Sequence, residues 1–258
     1  MFNLENIVQY YPPILQNKTK HIIREYLQCE ILDYIFSHKF ANKLCFIWWT
    51  SLRLLYNNAR FSEDLDFDNF DLKKEEFEDI MYGLQKYLQQ NGYEVEIKII
   101  YKWAYHCHIK IPKLLYENGI ATMETEKILI KIDTYGQWYN FTPEKKQLKQ
   151  FDFDFYCNVA SSELLLAHKF TALFDRYKGR DLFDISFLLG ITKTPDFWYL
   201  KQKLEIKTNT ELKKNILEKI KEYNFEQLQK DVEPFLFRSN DTRVLHFKET
   251  IQQTEFEQ

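Results

Sequence analysis

The chain has 258 residues and a formal net charge of -3, so no global basic field announces a nucleic-acid partner, and any such partner needs a local patch. A hydrophobic content of 45% with 28% charged residues excludes a disordered chain, and no apolar run is long enough for a membrane span. Cysteines without CxxC spacing, and an N-terminus lacking a basic region before a long apolar run, predict reduced thiols and a soluble cytoplasmic protein without a signal peptide.

In chain order, residues 17–40 place apolar side chains at 22, 23, 26, 27, 31, 32, 35 and 36, which is helical periodicity. A short apolar run at 44–47 precedes "TSLRLLYNN", read as a helix with Thr50 at its N-cap. "DLDFDNF" alternates strictly and predicts a strand, and "KKEEFEDIMYGLQKYLQQNG" predicts a helix closed by Gly92. "YEVEIKIIYK", "AYHCHIKIP" and "EKILIKIDTYG" predict three further strands. After about residue 150 the character changes, with "SSELLLAHKFTALFDRYKGRDLFDISFLL" read as two helices broken at Gly179 and helical periodicity beyond. The expectation is a mixed α/β domain over 1–150 and a helical domain over 151–258, divided within "QWYNFTPEKKQLKQFDFDF".

Side chains two apart on a strand share a side, about 7 Å apart, so Asp64, Asp66 and Asp68 line one face while Leu65 and Phe67 line the other. Oxygen ligands on a rigid strand suit Mg²⁺, which takes one or two carboxylates plus water and phosphate oxygens. A solvated acidic edge strand is the plainer reading. An EF-hand loop would use Asp64, Asp66, Asp68 and Glu75, but Asn69 stands where its glycine belongs. Asp133, ending an apolar strand, can supply a third carboxylate. In "HKFTALFDRYKGRDLFD", Lys169 and Arg176 lie two helical turns apart, about 10 Å along the axis, with Arg180, Asp181 and Asp184 following the Gly179 break. The alternative there is a salt-bridged helix pair. His106 and His108 share a strand face without zinc spacing and are set aside. The aromatics of "YKWAY" and "QWY" are read as core and interface. Residues 201–222 carry seven lysines against four glutamates, a candidate RNA-facing patch or simply a solvated face.

"TSLRLLYNNARFSEDLDFD", followed by "HKFTALFDRYKGRDLFDI", resembles the AbiEii/AbiGii toxin family of nucleotidyltransferases over roughly residues 40–190. The resemblance implies a nucleotidyltransferase fold with a mixed sheet and a helical C-terminal region. It also implies Mg²⁺, a nucleoside triphosphate donor, an RNA acceptor such as tRNA, and a cognate antitoxin. Carried onto this sequence, Asp64 and Asp66 hold the metal, Asp133 is third ligand or general base, and Asp181 is a catalytic helper. Thr50, Ser51, Ser62, Lys169, Arg176 and Arg180 contact the nucleotide.

One departure bears on activity: Trp48-Trp49 stands where the family has Gly-Gly. Glycines there permit positive φ and close approach of backbone to phosphate. Two outcomes are open: the indoles turn aside, or they fill the donor pocket and leave a catalytically impaired protein that binds RNA or a partner. A small-molecule nucleotidyltransferase or kinase-like transferase would use the same carboxylates on another acceptor.

Overall fold

The structure, a computed structural model, describes residues 2–257. The chain divides into two compact units, one comprising residues up to 56 and 61–159, the other comprising 57–60 and the residues from 160 onward.

The first unit carries α1 (Leu4–Val8), α2 (Thr19–Ser37), β1 (Leu44–Ile47), α3 (Trp48–Tyr56), β2 (Leu65–Asn69), α4 (Lys74–Gln90), β3 (Glu96–Tyr101), β4 (Tyr105–Ile111), α5 (Leu114–Glu117), β5 (Ile128–Gly136), β6 (Glu144–Gln150) and β7 (Phe153–Val159). Its strands form one mixed sheet in the order β3-β4-β5-β2-β1-β7-β6. β2 runs parallel to β5 and antiparallel to β1.

The alternation read from the sequence fixes the two faces of this sheet. Cys107, Ile132 and Leu65 stand opposite one another across β4, β5 and β2, and all three are buried. α2 packs on that side, where Phe36 meets Phe67 with ring centroids 6.2 Å apart. The charged residues between these positions are thereby directed to the opposite face. Glu25 of α2 is buried and accepts a two-pronged hydrogen bond from Arg53 of α3, at 2.9 Å through both Nε and Nη2. The pair fixes α3 against α2 without leaving a buried charge alone.

The α/β expectation holds, with two local differences. The division falls at 159/160, later than the expected boundary near 150, because most of the segment expected to contain it forms β6 and the start of β7. "EKKQLKQ" hides a strand because β6 is a sheet edge that buries only Leu148. The helix expected to begin at Thr50 begins at Trp48. Gly92, with φ of 94°, follows α4 in the left-handed conformation expected of a closing glycine.

The second unit is helical: α6 (Ser162–Asp175), α7 (Gly179–Leu188), α8 (Phe197–Leu204), α9 (Asn209–Lys219), α10 (Phe225–Val232) and α11 (Phe247–Gln253). Gly179 opens α7 where α10 passes close: a Cβ there would lie 1.8 Å from the Leu228 carbonyl oxygen. Residues 57–60 are held to this unit by strand-like pairing of Arg60 with Leu236 and by the Phe237 N–H donating to the Ala59 carbonyl. All four cysteines are buried and unbridged. Among the described residues, no helix is long and apolar enough to cross a membrane.

Candidate active site

The predicted site residues fall into two groups, one in each unit. In the first, Asp66 of β2 stands directly opposite Asp133 of β5, and Asp133 stands opposite His106 of β4. Side chains opposite one another share a face, so the row reads His106–Asp133–Asp66 across three strands. Asp64, one residue before β2, lies beside Asp66 on that face, with Lys131 Nζ 3.7 Å from its carboxylate. His106 Nδ1 is 2.7 Å from Asp133 Oδ1. His106 had been set aside; the signal that finds it is the β4–β5 register, which sequence spacing does not encode. Asp68, on the same face, is buried and accepts a 3.2 Å hydrogen bond from Gln137.

Burial raises the Asp64 carboxyl above the ordinary aspartate range, an effect that Lys131 opposes and that Glu63 and Asp133 reinforce. A carboxylate kept partly desolvated beside other acids gains from a cation. Among the described residues, no three of His, Cys, Asp and Glu are gathered into a ready metal cage. Two hard carboxylates with Asp64 38% exposed instead fit Mg²⁺, which keeps much of its water.

The hydroxyls at the start of α3 are turned inward. Thr50 Oγ1 lies 2.8 Å from Ser62 Oγ and donates to the Asp64 carbonyl. Ser51 Oγ donates to the Trp48 carbonyl at 2.6 Å, and all three hydroxyl residues are buried. They fasten α3 to the segment that delivers Asp64.

Trp48 has φ of 64°, in the left-handed region where glycine is at ease. The backbone thus keeps a glycine conformation beneath an indole. Both indoles are half-buried and turn toward each other: Trp49 and Trp48 stack at 5.9 Å and 5°, and Trp48 and Tyr135 at 6.4 Å and 13°. Trp103 then lies 5.3 Å from Tyr135 at 30°, completing a ladder of four rings. Because left-handed backbone penalises any Cβ, Trp48→Gly should be more stable than Trp48→Ala by about 1 kcal/mol, although both lose the stack. Urea midpoints of the two variants check this; equal midpoints refute the strain.

In the second unit, Lys169, Arg176, Asp181 and Asp184 form one network. Asp184 accepts from Arg60 Nε at 2.8 Å, Arg60 Nη2 at 2.6 Å and Asn58 Nδ2 at 2.8 Å, and lies 2.6 Å from Lys169 Nζ. Asp181 accepts a fork from Arg176 at 2.8 and 2.9 Å and lies 3.5 Å from Lys169 Nζ. Arg60, Lys169, Asp181 and Asp184 are all buried. Burial alone raises the Asp184 carboxyl, but Arg60 and Lys169 outweigh it and bring it down to about 2. Burial pushes the Lys169 ammonium below the usual lysine range, although Asp184 and Asp181 oppose it. The Arg180 guanidinium lies 4.7 Å from the centre of the Phe235 ring. Arg60 and Asn58 carry no sequence signal as site residues, yet they supply three of the four polar contacts that hold Asp184. Lysines at 201–222 are also occupied: Lys213 Nζ donates to the carbonyls of Gln252 and Thr254, Lys219 Nζ to that of Phe174, and Lys221 Nζ to the Glu218 carboxylate.

The fold is similar to solved structures. MenT4, a nucleotidyltransferase toxin from Mycobacterium tuberculosis, matches with a TM-score of 0.61 at 13% identity, over 99% of this chain and 91% of that one. JHP933 from Helicobacter pylori matches with a TM-score of 0.58 at 20% identity, over 90% of each chain. A second H. pylori structure, described as a putative nucleotidyltransferase, matches with a TM-score of 0.57 at 20% identity, over 90% of this chain and 93% of that one. No curated protein matches the sequence. The model for the nucleotidyl transferase AbiEii toxin of type IV toxin–antitoxin systems matches residues 50–252, a span that contains the acidic row and the buried network alike. The chain belongs to the AbiEii family of nucleotidyl transferase toxins.

Proposed function

We propose that this toxin transfers a nucleotide from a nucleoside triphosphate to an RNA acceptor, with tRNA the leading candidate, in the cytoplasm and under the control of a cognate antitoxin. The observation that carries the reading is the register placing Asp66 opposite Asp133, with Asp64 beside them on the same open face. Asp64 and Asp66 are the residues to hold Mg²⁺, which when bound supplies charge neutralisation at the phosphates. In this reading Asp133, 2.7 Å from His106, accepts the proton of the attacking hydroxyl. His106 fixes the carboxylate's orientation through its contact with Oδ1. Lys169 and Asp181 are enclosed, so their role in this reading is to hold the helical unit's charged core together.

Incubating the protein with each labelled triphosphate, Mg²⁺ and total RNA tests the proposal. Label appearing in RNA with one triphosphate, and disappearing with chelator, is the expected result. Label in a small molecule instead refutes the RNA acceptor. No label anywhere, together with undisturbed RNA binding, favours the impaired protein that Trp48 and Trp49 raise as the second reading.

A further inference from the structure

The ring ladder ends on a side chain that folding does not explain. Trp103 occupies the hairpin tip between β3 and β4 and is 74% exposed. An indole at such a tip contributes little burial, yet this one is held in place. It stacks on Tyr135 at 5.3 Å and meets His106 edge-on at 5.5 Å and 81°. Tyr135 in turn is backed by Trp48. With that exposure, the indole face turned away from Tyr135 is open to solvent and already oriented, so a planar partner stacks on it without ordering a mobile side chain first.

Charge on the same side of the sheet complements this platform. Lys98, His108 and Lys131 stand opposite one another across β3, β4 and β5, and Lys131 is two residues from Asp133, so all four share a face. Lys98 is exposed, as is Lys102 beside Trp103. Burial holds His108 below the usual histidine range and Lys131 is shared with the Asp64 carboxylate at 3.7 Å, so the exposed Lys98 and Lys102 supply the cations that border the open ring, and cations along the phosphates with bases stacked on rings are how single strands are bound. Duplex bases are already stacked within the helix and cannot use such a ring.

We propose that this face binds single-stranded RNA, with one unpaired base on the outer face of Trp103 and the backbone passing over Lys98 and Lys102. The inference rests on the RNA acceptor proposed above and names the surface that receives it. The Trp103 ring then stands beside His106, and through it beside Asp133, so the stacked base lies next to the proposed reaction centre.

The test is fluorescence anisotropy with the full chain and a labelled short adenylate RNA, the matching duplex and the matching DNA strand. Trp103→Ala should weaken binding of the single-stranded RNA on the order of tenfold, and Trp103→Phe should keep most of the affinity. Lys98→Glu should weaken it and flatten its salt dependence. The duplex should bind weakly and respond little to Trp103→Ala. Unchanged affinity in Trp103→Ala, no binding of the single strand by the wild type, equal losses for strand and duplex, or tighter binding of DNA would each overturn the proposal. Transfer of label to RNA is read separately. Transfer with unchanged Trp103→Ala affinity sinks this inference and leaves the function standing. Trp103-dependent binding without transfer does the reverse.

Discussion

Asp184→Ala should destabilise the helical unit by about 3–5 kcal/mol, the largest single-residue effect we expect in this protein. The loss is not that of four hydrogen bonds summed. It arises because Arg60 and Lys169 remain buried and charged with no carboxylate between them. Asp181 stays close to Lys169 at 3.5 Å but is itself engaged by Arg176, so it cannot replace the missing anion for Arg60. The pH dependence has a defined sign. The folded-state value of about 2 lies below the ordinary 3.8, so the stabilisation from Asp184 ionisation is complete above 3.8 and is lost as pH falls through 2. Urea unfolding of wild type and Asp184→Ala at neutral pH and near the lower value measures both claims. The gap between them should narrow in acid. A neutral-pH gap under about 1 kcal/mol would mean that the network is dispensable.

Asp64→Asn should have the opposite profile. Transfer activity falls about 10²–10³-fold, because the proposed metal and the phosphate charge it offsets lose a ligand. Stability does not fall with it. Burial already disfavours the ionised Asp64 in the folded state, so a neutral side chain of the same shape leaves the fold as stable or slightly more so. Activity and denaturation measured on the same preparation separate the two. An Asp64→Asn protein that transfers normally removes Asp64 from the proposed site, and one that unfolds makes it a structural residue.

Much of the first unit was legible in the sequence. The strict alternation around Asp64, Asp66 and Asp68 announced both the strand and its two faces, since buried Leu65 and Phe67 leave the carboxylates only one side to occupy. The pairing partner was less accessible. Asp133 could be named from the end of the apolar run, although β5 continues past it to Gly136, but its position opposite Asp66, and that of His106 opposite Asp133, depends on strand order. No local pattern encodes that order. β6 escaped for a different reason: at the sheet edge its covered face carries Lys146, Leu148 and Gln150, with only Leu148 buried, so lysine and glutamine hide the alternation. The aromatics around Trp103 read as core and interface because aromatic residues usually are, and the place of Trp103 on a hairpin tip takes it out of the core. The salt-bridged reading of the 168–184 segment captured the chemistry of Lys169, Arg176, Asp181 and Asp184. It missed Arg60 because that residue lies over a hundred positions away.

The short passage from Asn57 to Arg60 makes the helical unit a discontinuous object. A chain cut at 160 and expressed from there would contain Asp184 and Lys169 but neither Arg60 nor Asn58, and so would have an unbalanced interior. The helical part is therefore not a cassette to be shuffled between proteins by recombination at a single junction. Any exchange that respects the interior must carry two pieces of gene, one of them only four codons long. The two motifs by which the family is recognised are thus bound to be inherited together, since each contributes to the same closed set of charges.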